Sequence, residues 1–237
     1  MALALPPIGA MAGGVLLNHL HYIHLARCRL VRTLLPPAAA ICDLGGANSP
    51  LYLMGYPHPF DRMVMVDLPD EDRHQIYGRF ELKPHAGAGK VEVLYANMVH
   101  LDMLESESFD LVWSGQSIEH VDEADGRLMC AEAFRILKPG GYFCLDTPNG
   151  RISSVHAATS GLKLIHPEHK IEYEPAHLGR MLDEAGFEIV DRQGICHMPE
   201  TFRTGAFSYD EFRDGEPIFA DVDACYIQYY ACRKPTS

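Results

Sequence analysis

The chain has 237 residues, 47% hydrophobic and 22% charged, which is the composition of a globular domain large enough to bury a core. Its formal net charge of −12 argues against nucleic acid or an anionic membrane as the main partner, because both attract basic surfaces. Seven scattered cysteines without a Cys-x-x-Cys pair favour a reduced, cytoplasmic protein over a disulfide framework. The apolar N-terminus lacks a basic region and contains Pro6-Pro7, so we expect no signal peptide. Because no run of eighteen apolar residues occurs, we expect no membrane span.

The first predicted element is a helix over residues 15–35. Apolar side chains recur there at helical spacing, and Pro36-Pro37 ends the helix. An amphipathic helix over 124–137 is expected to end at the Lys138-Pro139-Gly140-Gly141 turn. Short apolar runs predict strands at 40–44, 62–67, 91–95, 109–113 and 140–146. Strands that alternate with helices predict an α/β fold in which a mostly parallel sheet carries helices on both faces.

After residue 150 the alternation is less regular. Residues 150–174 are predicted to form a loop, followed by a helix over 175–185 and a strand over 187–194. The apolar segment 224–234 is expected to be an antiparallel edge strand. The connection 195–223 is too long for a hairpin turn, so it predicts a lid or an excursion from the fold.

The segment that follows the first predicted strand is rich in small residues. It runs Asp43-Leu44-Gly45-Gly46-Ala47-Asn48-Ser49. Ligands of open α/β sheets bind beyond the carboxyl ends of the strands, and small residues allow the backbone to approach them. The segment does not match the G-x-G-x-x-G pattern of dinucleotide-binding proteins, which disfavours a dehydrogenase.

Five segments in order resemble the motifs of class I S-adenosylmethionine-dependent methyltransferases. The first is the Asp43–Ser49 turn, and the second is Asp67 at the end of VMVDLP. The other three are YANMVHLDM at 95–103, FDLVWSGQSIEHV at 109–121 and RILKPGGYFCLDTPN at 135–149. The resemblance covers roughly residues 38–193. It implies a Rossmann-like, doubly wound sheet with an antiparallel last strand and S-adenosylmethionine as the cofactor.

The resemblance also implies where the cofactor binds. Asp43 is expected near the methionine amino group, and Gly45 brings the backbone close to the methionine end. Asp67 is expected to accept both ribose hydroxyls, and Asn97 takes a position near the adenine. The predicted cofactor residues are Asp43, Gly45, Gly46, Asp67, Leu68, Asn97, Met98 and Ser114.

His120 is the predicted catalytic residue, because a histidine after the fourth strand faces the reactive end of the cofactor and suits a general base. The alternative is a capping or packing histidine. The O-methyltransferases of ubiquinone biosynthesis carry E-x-x-E-H at this point, which implies a divalent ion. This chain has Gln116, Glu119 and His120 there. Glutamine is the weaker ligand, so binding of Mg²⁺ stays open.

Substrate contacts are expected from the helical cap and from the segment after the fifth strand. The predicted substrate residues are Tyr22, His166, His169, Glu172 and Tyr173. The alternative for each residue of the segment is a solvated loop. His19, His21 and His24 do not make a convincing metal set, and the tyrosines of the last strand are assigned to packing or to a dimer edge.

The sequence therefore predicts a single methyltransferase domain that methylates a hydroxyl of a small molecule. Its parts are a helical cap at 1–37, a cofactor-binding core at 38–193, a lid or excursion at 194–223 and an edge strand at 224–237. A sugar or oligosaccharide is the first acceptor predicted, from the polar, histidine-rich segment and the similarity to glycan O-methyltransferases. A phenol or quinone is the alternative, and a non-catalytic cofactor-binding protein is the second. A homodimer stays open.

Overall fold

A single sheet organises the fold. The computed structural model describes residues 11–46, 49–74, 82, 87 and 89–236, so residues 1–10 of the predicted cap and positions 47 and 48 of the predicted turn lie outside it. The seven strands are β1 (Ala40–Leu44), β2 (Arg62–Asp67), β3 (Lys90–Tyr95), β4 (Phe109–Gly115), β5 (Leu137–Pro148), β6 (Glu188–His197) and β7 (Cys225–Arg233). The helices are α1 (Met11–Leu34), α2 (Glu123–Ile136), α3 (Gly150–Thr159), α4 (Pro175–Glu184), α5 (Pro199–Thr204) and α6 (Tyr209–Asp214).

The strand order confirms the mostly parallel sheet with an antiparallel last strand, but the predicted edge position of 224–234 is wrong. Strand β7 lies between β5 and β6, and its side chains are buried on both faces, as in an interior strand. The sheet runs β3-β2-β1-β4-β5-β7-β6, with β1 to β5 parallel and β7 antiparallel to both of its neighbours. The chain starts at the centre, moves outward to β3, and then returns to β4 on the other side of β1. This reversal places a crevice beyond the carboxyl ends of β1 and β4, where ligands bind in such sheets.

Apolar side chains on both faces of the strands explain why helices cover both sides. Ile41 packs on the face that α1 covers, where Leu30 and Val31 are fully buried. The next residue, Cys42, points to the opposite face, against Met129 of α2 and Leu182 of α4. Because side chains alternate along a strand, a continuous apolar run supplies both cores.

The predicted turn at Lys138–Gly141 is part of β5 instead. The register of β5 against β4 shifts there, and Gly140 adopts a φ of 80°. Backbone hydrogen bonds from Gly140 to Lys234 and from Lys234 to Gly141, both 2.9 Å, hold the segment against the end of the chain. The strand therefore begins directly after α2, and the two glycines form an irregularity in it.

The predicted loop at 150–174 is wrong in its first part, which forms α3. Asn149 caps this helix, since its Oδ1 accepts a hydrogen bond of 3.0 Å from the Arg151 N–H. The Asn149 side chain also donates to the carbonyl groups of Val222 and Cys225, at 3.1 and 2.8 Å. One buried amide thus joins the start of α3 to the start of β7.

The predicted lid at 194–223 belongs partly to the core. Strand β6 continues to His197, and α5 and α6 follow it. Met198 is fully buried and Phe212 is 1% exposed, both in the core on the α1 side of the sheet. Glu211 accepts hydrogen bonds from the N–H groups of Glu200 and Thr201, at 2.6 and 2.8 Å. These contacts make the segment an integral layer rather than a detached flap.

Among the described residues, none of the helices combines the length and the apolar character that crossing a bilayer requires.

Candidate functional site

Two adjoining cavities open at the carboxyl ends of the strands. The first cavity encloses about 260 Å³ and the second about 290 Å³, and Gln116 lines both. The first cavity is lined by Gly45, Val66, Asp67, Leu68, Asp72, Arg73, His74, Ala96, Asn97, Met98, Gln116, Ser117, His120, Val121, Glu168 and Lys170. The second is lined by Ile23, His24, Arg27, Gln116, Pro148, His156, Ala157, Ser160, Leu162, Ile165, His166, His169, Tyr226 and Ile227.

Gly45 forms the tight turn where β1 meets the first cavity. Its φ is 72°, its N–H donates to the Val66 carbonyl at 2.8 Å, and a Cβ here would lie 2.3 Å from Ser117 Oγ. Ser117 in turn donates to the Leu44 carbonyl at 3.0 Å. Only glycine fits this backbone conformation without displacing Ser117. Ser117 therefore accounts for the glycine at position 45, and the approach of a cofactor to this backbone stays a prediction.

Asp43, Gly46 and Ser114 were predicted to contact the cofactor, but they do not line the first cavity. Asp43 is fully buried, and its Oδ2 accepts a hydrogen bond of 2.8 Å from the Leu51 N–H. Burial raises the pKa of Asp43 to about 7. A Cβ on Gly46 would lie 2.4 Å from the Asp43 carboxylate, and Ser114 is buried within β4. Asp43 thus holds the backbone after the turn through Leu51, and Gly46 leaves room for the Asp43 carboxylate.

The other predicted cofactor residues line the first cavity as expected. Asp67 lies at the end of β2, where its Oδ1 accepts a hydrogen bond of 2.8 Å from the Leu68 N–H and lies 3.6 Å from Arg73 Nε. Asn97 Oδ1 accepts from the Val99 N–H at 3.2 Å. Arg73 was missed by the sequence analysis, because no motif marks it.

A buried polar network lies where the two cavities meet. Arg27 Nε donates to Asp146 Oδ2 at 2.8 Å, and Gln116 Nε2 donates to Asp146 Oδ1 at 2.9 Å. Arg27 Nη2 has no hydrogen-bond partner among the described residues, although Arg27 is only 7% exposed. The carboxylate of Asp146 thus holds the side chains of Arg27 and Gln116 at the junction.

A cluster of Glu119, His120 and His169 lies beside this junction. Each can offer one ligand atom, and these atoms all lie within 4.8 Å of one another. Glu119 is fully buried, with Oε2 accepting a hydrogen bond of 2.9 Å from Thr147 Oγ1 and with no partner for Oε1 among the described residues. Burial raises the pKa of Glu119 to about 7. Gln116, predicted as a ligand with Glu119 and His120, directs its amide nitrogen to Asp146 instead.

His120 and His169 connect the two cavities, because His120 lines the first and His169 the second. Their ring centroids are 5.0 Å apart, and the ring of His166 lies 5.9 Å from that of His120. Burial is the main cause, and the neighbouring His169 the second, that together lower the pKa of His120 to about 4. His120 is therefore neutral near pH 7, but its low pKa makes it a weaker proton acceptor than the near-neutral histidine that the sequence predicted.

The predicted substrate residues divide into two groups. His166 and His169 line the second cavity, whereas Tyr22 is 61% exposed and Tyr173 is buried in the core around α2 and α4, and neither lines the cavity. Glu172 stands behind the lining, where it contacts His169 Nδ1 at 2.6 Å. Burial raises the pKa of Glu172, but hydrogen bonds from His169, Ser153 and the Ile165 N–H outweigh it and bring the pKa below its usual value.

Two further lining residues were missed by the sequence analysis. His156 Nδ1 lies 2.7 Å from the Tyr226 hydroxyl, and burial lowers the pKa of His156. His156 was placed in a loop and Tyr226 in strand packing. Only the recognition of α3 as a helix packed on β7 would have brought them together.

Comparisons with known proteins show similarity to methyltransferases. Residues 45–145 match the family described as "Methyltransferase domain". The chain is 35% identical over 109 residues to a probable S-adenosylmethionine-dependent methyltransferase of Mycolicibacterium smegmatis, covering 46% of this chain and 39% of the relative. It is 31% identical over 124 residues to a ubiquinone biosynthesis O-methyltransferase of Rhizobium etli, covering 48% of this chain and 49% of the relative. The chain thus spans half the length or less of these two curated relatives.

A solved structure extends the similarity of the fold to most of the chain. The crystal structure of a S-adenosylmethionine-dependent methyltransferase from Thermotoga maritima, a possible histamine N-methyltransferase, superposes with a TM-score of 0.64 at 18% identity. It covers 94% of both chains, and at this identity the similarity concerns the fold alone.

Proposed function

Because residues 45–145 form a methyltransferase domain of the class I, S-adenosylmethionine-dependent type, we propose that the protein transfers a methyl group from this cofactor to a hydroxyl of a small molecule. The observation that carries the proposal is the junction of the two cavities at Gln116, with His120 on one side and His169 on the other. Methyl transfer needs donor and acceptor in two adjoining compartments, so that nucleophile, methyl and sulfur align in line.

The first cavity fits the cofactor. Gly45 lets the backbone come close to the methionine part, and Asp67 offers a carboxylate to the ribose hydroxyls at the end of β2. Asn97 and Met98 lie beyond β3, where the adenine is expected. S-adenosylmethionine supplies the activated methyl sulfonium, and the residues of the chain align it and exclude water.

The second cavity fits the acceptor. Leu162 and Ile165 contribute apolar walls from the segment that follows α3, and Ile23 contributes one from α1. His120 is neutral at pH 7 and stands between the cavities, where it can take the proton of the acceptor hydroxyl as the oxygen attacks the methyl group.

The chemistry of the lining favours an acidic acceptor over a neutral sugar. Arg27 lines the second cavity, and none of its lining residues within the described part of the chain is a carboxylate. The four histidines of the lining contribute ring nitrogens that can form hydrogen bonds. The guanidinium of Arg27, which lines this cavity, suits an anionic group on the acceptor. We therefore favour a phenol that carries an acidic substituent. The name of the Rhizobium etli relative, a ubiquinone biosynthesis O-methyltransferase, supports the phenolic class. The sugar acceptor stays a prediction.

A transfer assay with labelled S-adenosylmethionine tests the proposal. Catechols with and without a carboxylate are compared with mono- and disaccharides, and mass spectrometry locates the methyl group. We expect O-methylation of the phenols, with the carboxylated ones preferred. Calorimetric binding of S-adenosylmethionine without transfer to any acceptor would favour the non-catalytic alternative. Absence of cofactor binding would contradict the proposal as a whole.

A further inference from the structure

We infer that Glu119, His120 and His169 form a binding site for one first-row transition-metal ion, such as Zn²⁺ or Mn²⁺. Their ligand atoms converge within 4.8 Å, and the buried Oε1 of Glu119 has no hydrogen-bond partner among the described residues. A buried carboxylate oxygen without a partner is costly, and a cation at the centre of the cluster removes that cost.

The surroundings of the cluster hold its side chains in the orientation that a metal requires. His169 Nδ1 lies 2.6 Å from Glu172 Oε1, and His120 makes a hydrogen bond with the backbone of Glu168. Glu119 is held through its other oxygen by Thr147, at 2.9 Å. A metal-binding histidine ordinarily uses its second ring nitrogen in this way, on a carboxylate or a backbone carbonyl.

Glu172 is itself fixed, which makes the support of His169 rigid. Its Oε1 also accepts a hydrogen bond of 2.9 Å from the Ile165 N–H, and its Oε2 accepts one of 2.6 Å from Ser153 in α3. The glutamate side chain is 2% exposed. The segment between α3 and α4 is therefore tied to the cluster through a buried carboxylate.

The ligand set differs from the one that the E-x-x-E-H resemblance implies. That set comprised Gln116, Glu119 and His120 and left Mg²⁺ open. In the structure Gln116 donates to Asp146, and His169 is the third group that faces Glu119 and His120. Two imidazole nitrogens and one carboxylate oxygen suit Zn²⁺, Mn²⁺, Fe²⁺ or Co²⁺, whereas Mg²⁺ prefers oxygen ligands alone.

The spacing of the three groups requires a small contraction. Two ligand atoms that each lie about 2.1 Å from an ion are at most about 4.2 Å apart. Ligand atoms of this cluster that are 4.8 Å apart would therefore have to move about half an ångström closer together to bind one ion.

A bound ion at the junction of the two cavities supplies positive charge that favours ionisation of a nearby hydroxyl. With an ion bound, both ring nitrogens of His120 are engaged, so the ion takes over the activation of the hydroxyl, and the proton-accepting role proposed above belongs to the metal-free protein. The inference itself concerns binding, and it does not depend on the acceptor proposed above.

Metal binding is tested on the chelator-treated full chain, without cofactor or acceptor. Calorimetry with ZnCl₂, MnCl₂ and MgCl₂ is combined with the absorption spectrum of the Co²⁺ form. We expect one equivalent of Zn²⁺ and at least about 100-fold weaker binding of Mg²⁺. His169→Ala and Glu119→Gln should each weaken Zn²⁺ binding at least about 100-fold, because each removes a direct ligand.

Two further variants make the test specific. Glu172→Gln keeps all three ligands and should weaken binding by only about 10-fold, through the orientation of His169. His100→Ala removes an exposed histidine outside the cluster and should change nothing. Circular dichroism confirms that each variant is folded. If His169→Ala does not fold, Glu172→Gln takes its place in the test of Zn²⁺ binding. Absence of Zn²⁺ binding in the unmodified chain, or equal binding by Glu172→Gln and His169→Ala, would overturn the inference.

Discussion

The two cavities differ in how the chain builds them. The first is formed mainly by residues at the ends of consecutive parallel strands, from Gly45 to Val121. The second collects residues from α1, α3, the segment that follows α3, and β7, so that Arg27 and Tyr226 line one cavity from opposite ends of the chain. A strand-end cavity follows from the order of the strands, whereas the second exists only once distant elements have packed.

The cavities also differ in charge, in keeping with their proposed ligands. The first contains carboxylates and cations together, with Asp67 beside Arg73 and Glu168 near Lys170. The second is lined by Arg27 and histidines, without a carboxylate in its described lining. A cofactor with hydroxyls and a positive sulfonium suits the first environment, and an acceptor that must lose a proton suits the second.

The largest effect is expected where the cavities meet. His120→Ala should reduce turnover by about two to four orders of magnitude, since it removes the group proposed to accept the proton. The affinity for S-adenosylmethionine should change less than about threefold in calorimetry, because His120 lies at the border of the first cavity and takes no part in the contacts proposed for the ribose and the adenine.

His177→Ala is the matched control, because this histidine pairs with Glu123 at the surface, and its turnover should stay normal. Normal turnover in His120→Ala would remove the proposed role, and His166 would be the next candidate for the base.

A smaller effect is expected on the acceptor side. Removal of Arg27 alone would leave Asp146 buried without its ion pair, so the substitutions Arg27→Met and Asp146→Asn are made together. The KM for a carboxylated phenol should rise by about 10- to 100-fold, which is the loss of a charge-assisted hydrogen bond. The KM for the uncarboxylated phenol should change much less in the same assay. An equal loss for both phenols, or a matching loss of cofactor affinity, would contradict the assignment of Arg27 to the acceptor.

On the cofactor side, Asp67→Ala should weaken S-adenosylmethionine binding at least about tenfold in calorimetry, since two hydrogen bonds from the ribose would be lost. Asp67→Asn keeps one acceptor oxygen and should lose less. The KM for the acceptor should stay the same, which separates the two cavities. Unchanged cofactor affinity in a folded Asp67→Ala protein would show that the ribose lies elsewhere.

The sequence predicted the fold and the first cavity better than the second, for a physical reason. The β1 and β2 bounds were predicted correctly because compact apolar runs define buried strands. Gly45 and Asp67 were predicted to lie at the ligand-binding edge of the sheet because Gly45 directly follows β1 and Asp67 ends β2, and both line the first cavity. Arg27 and His156 were missed, because their meeting depends on how α1 and α3 pack on the sheet. The role of Asp43 at the cofactor stays a prediction, and a sequence pattern could not show that its carboxylate accepts a hydrogen bond from the Leu51 N–H.

The smallest expected effect tests whether Asp43 belongs to the turn beneath the first cavity. Burial raises the pKa of Asp43 from 3.8 to about 7 in the folded protein, so the folded state keeps a proton that the unfolded state loses. The contribution of this group to stability is therefore full below pH 3.8 and is lost as the pH rises to about 7, by at most about 1.4 kcal/mol per pH unit. Asp43→Asn is uncharged and can still accept the hydrogen bond from the Leu51 N–H. Its free energy of unfolding in urea, relative to the unmodified chain, should thus increase between about pH 4 and about pH 8. The difference between the two chains is measured because Glu119 titrates in both. A variant that is equally destabilised at both pH values would show that the ionised carboxylate stabilises the turn, contrary to the buried, protonated form inferred here.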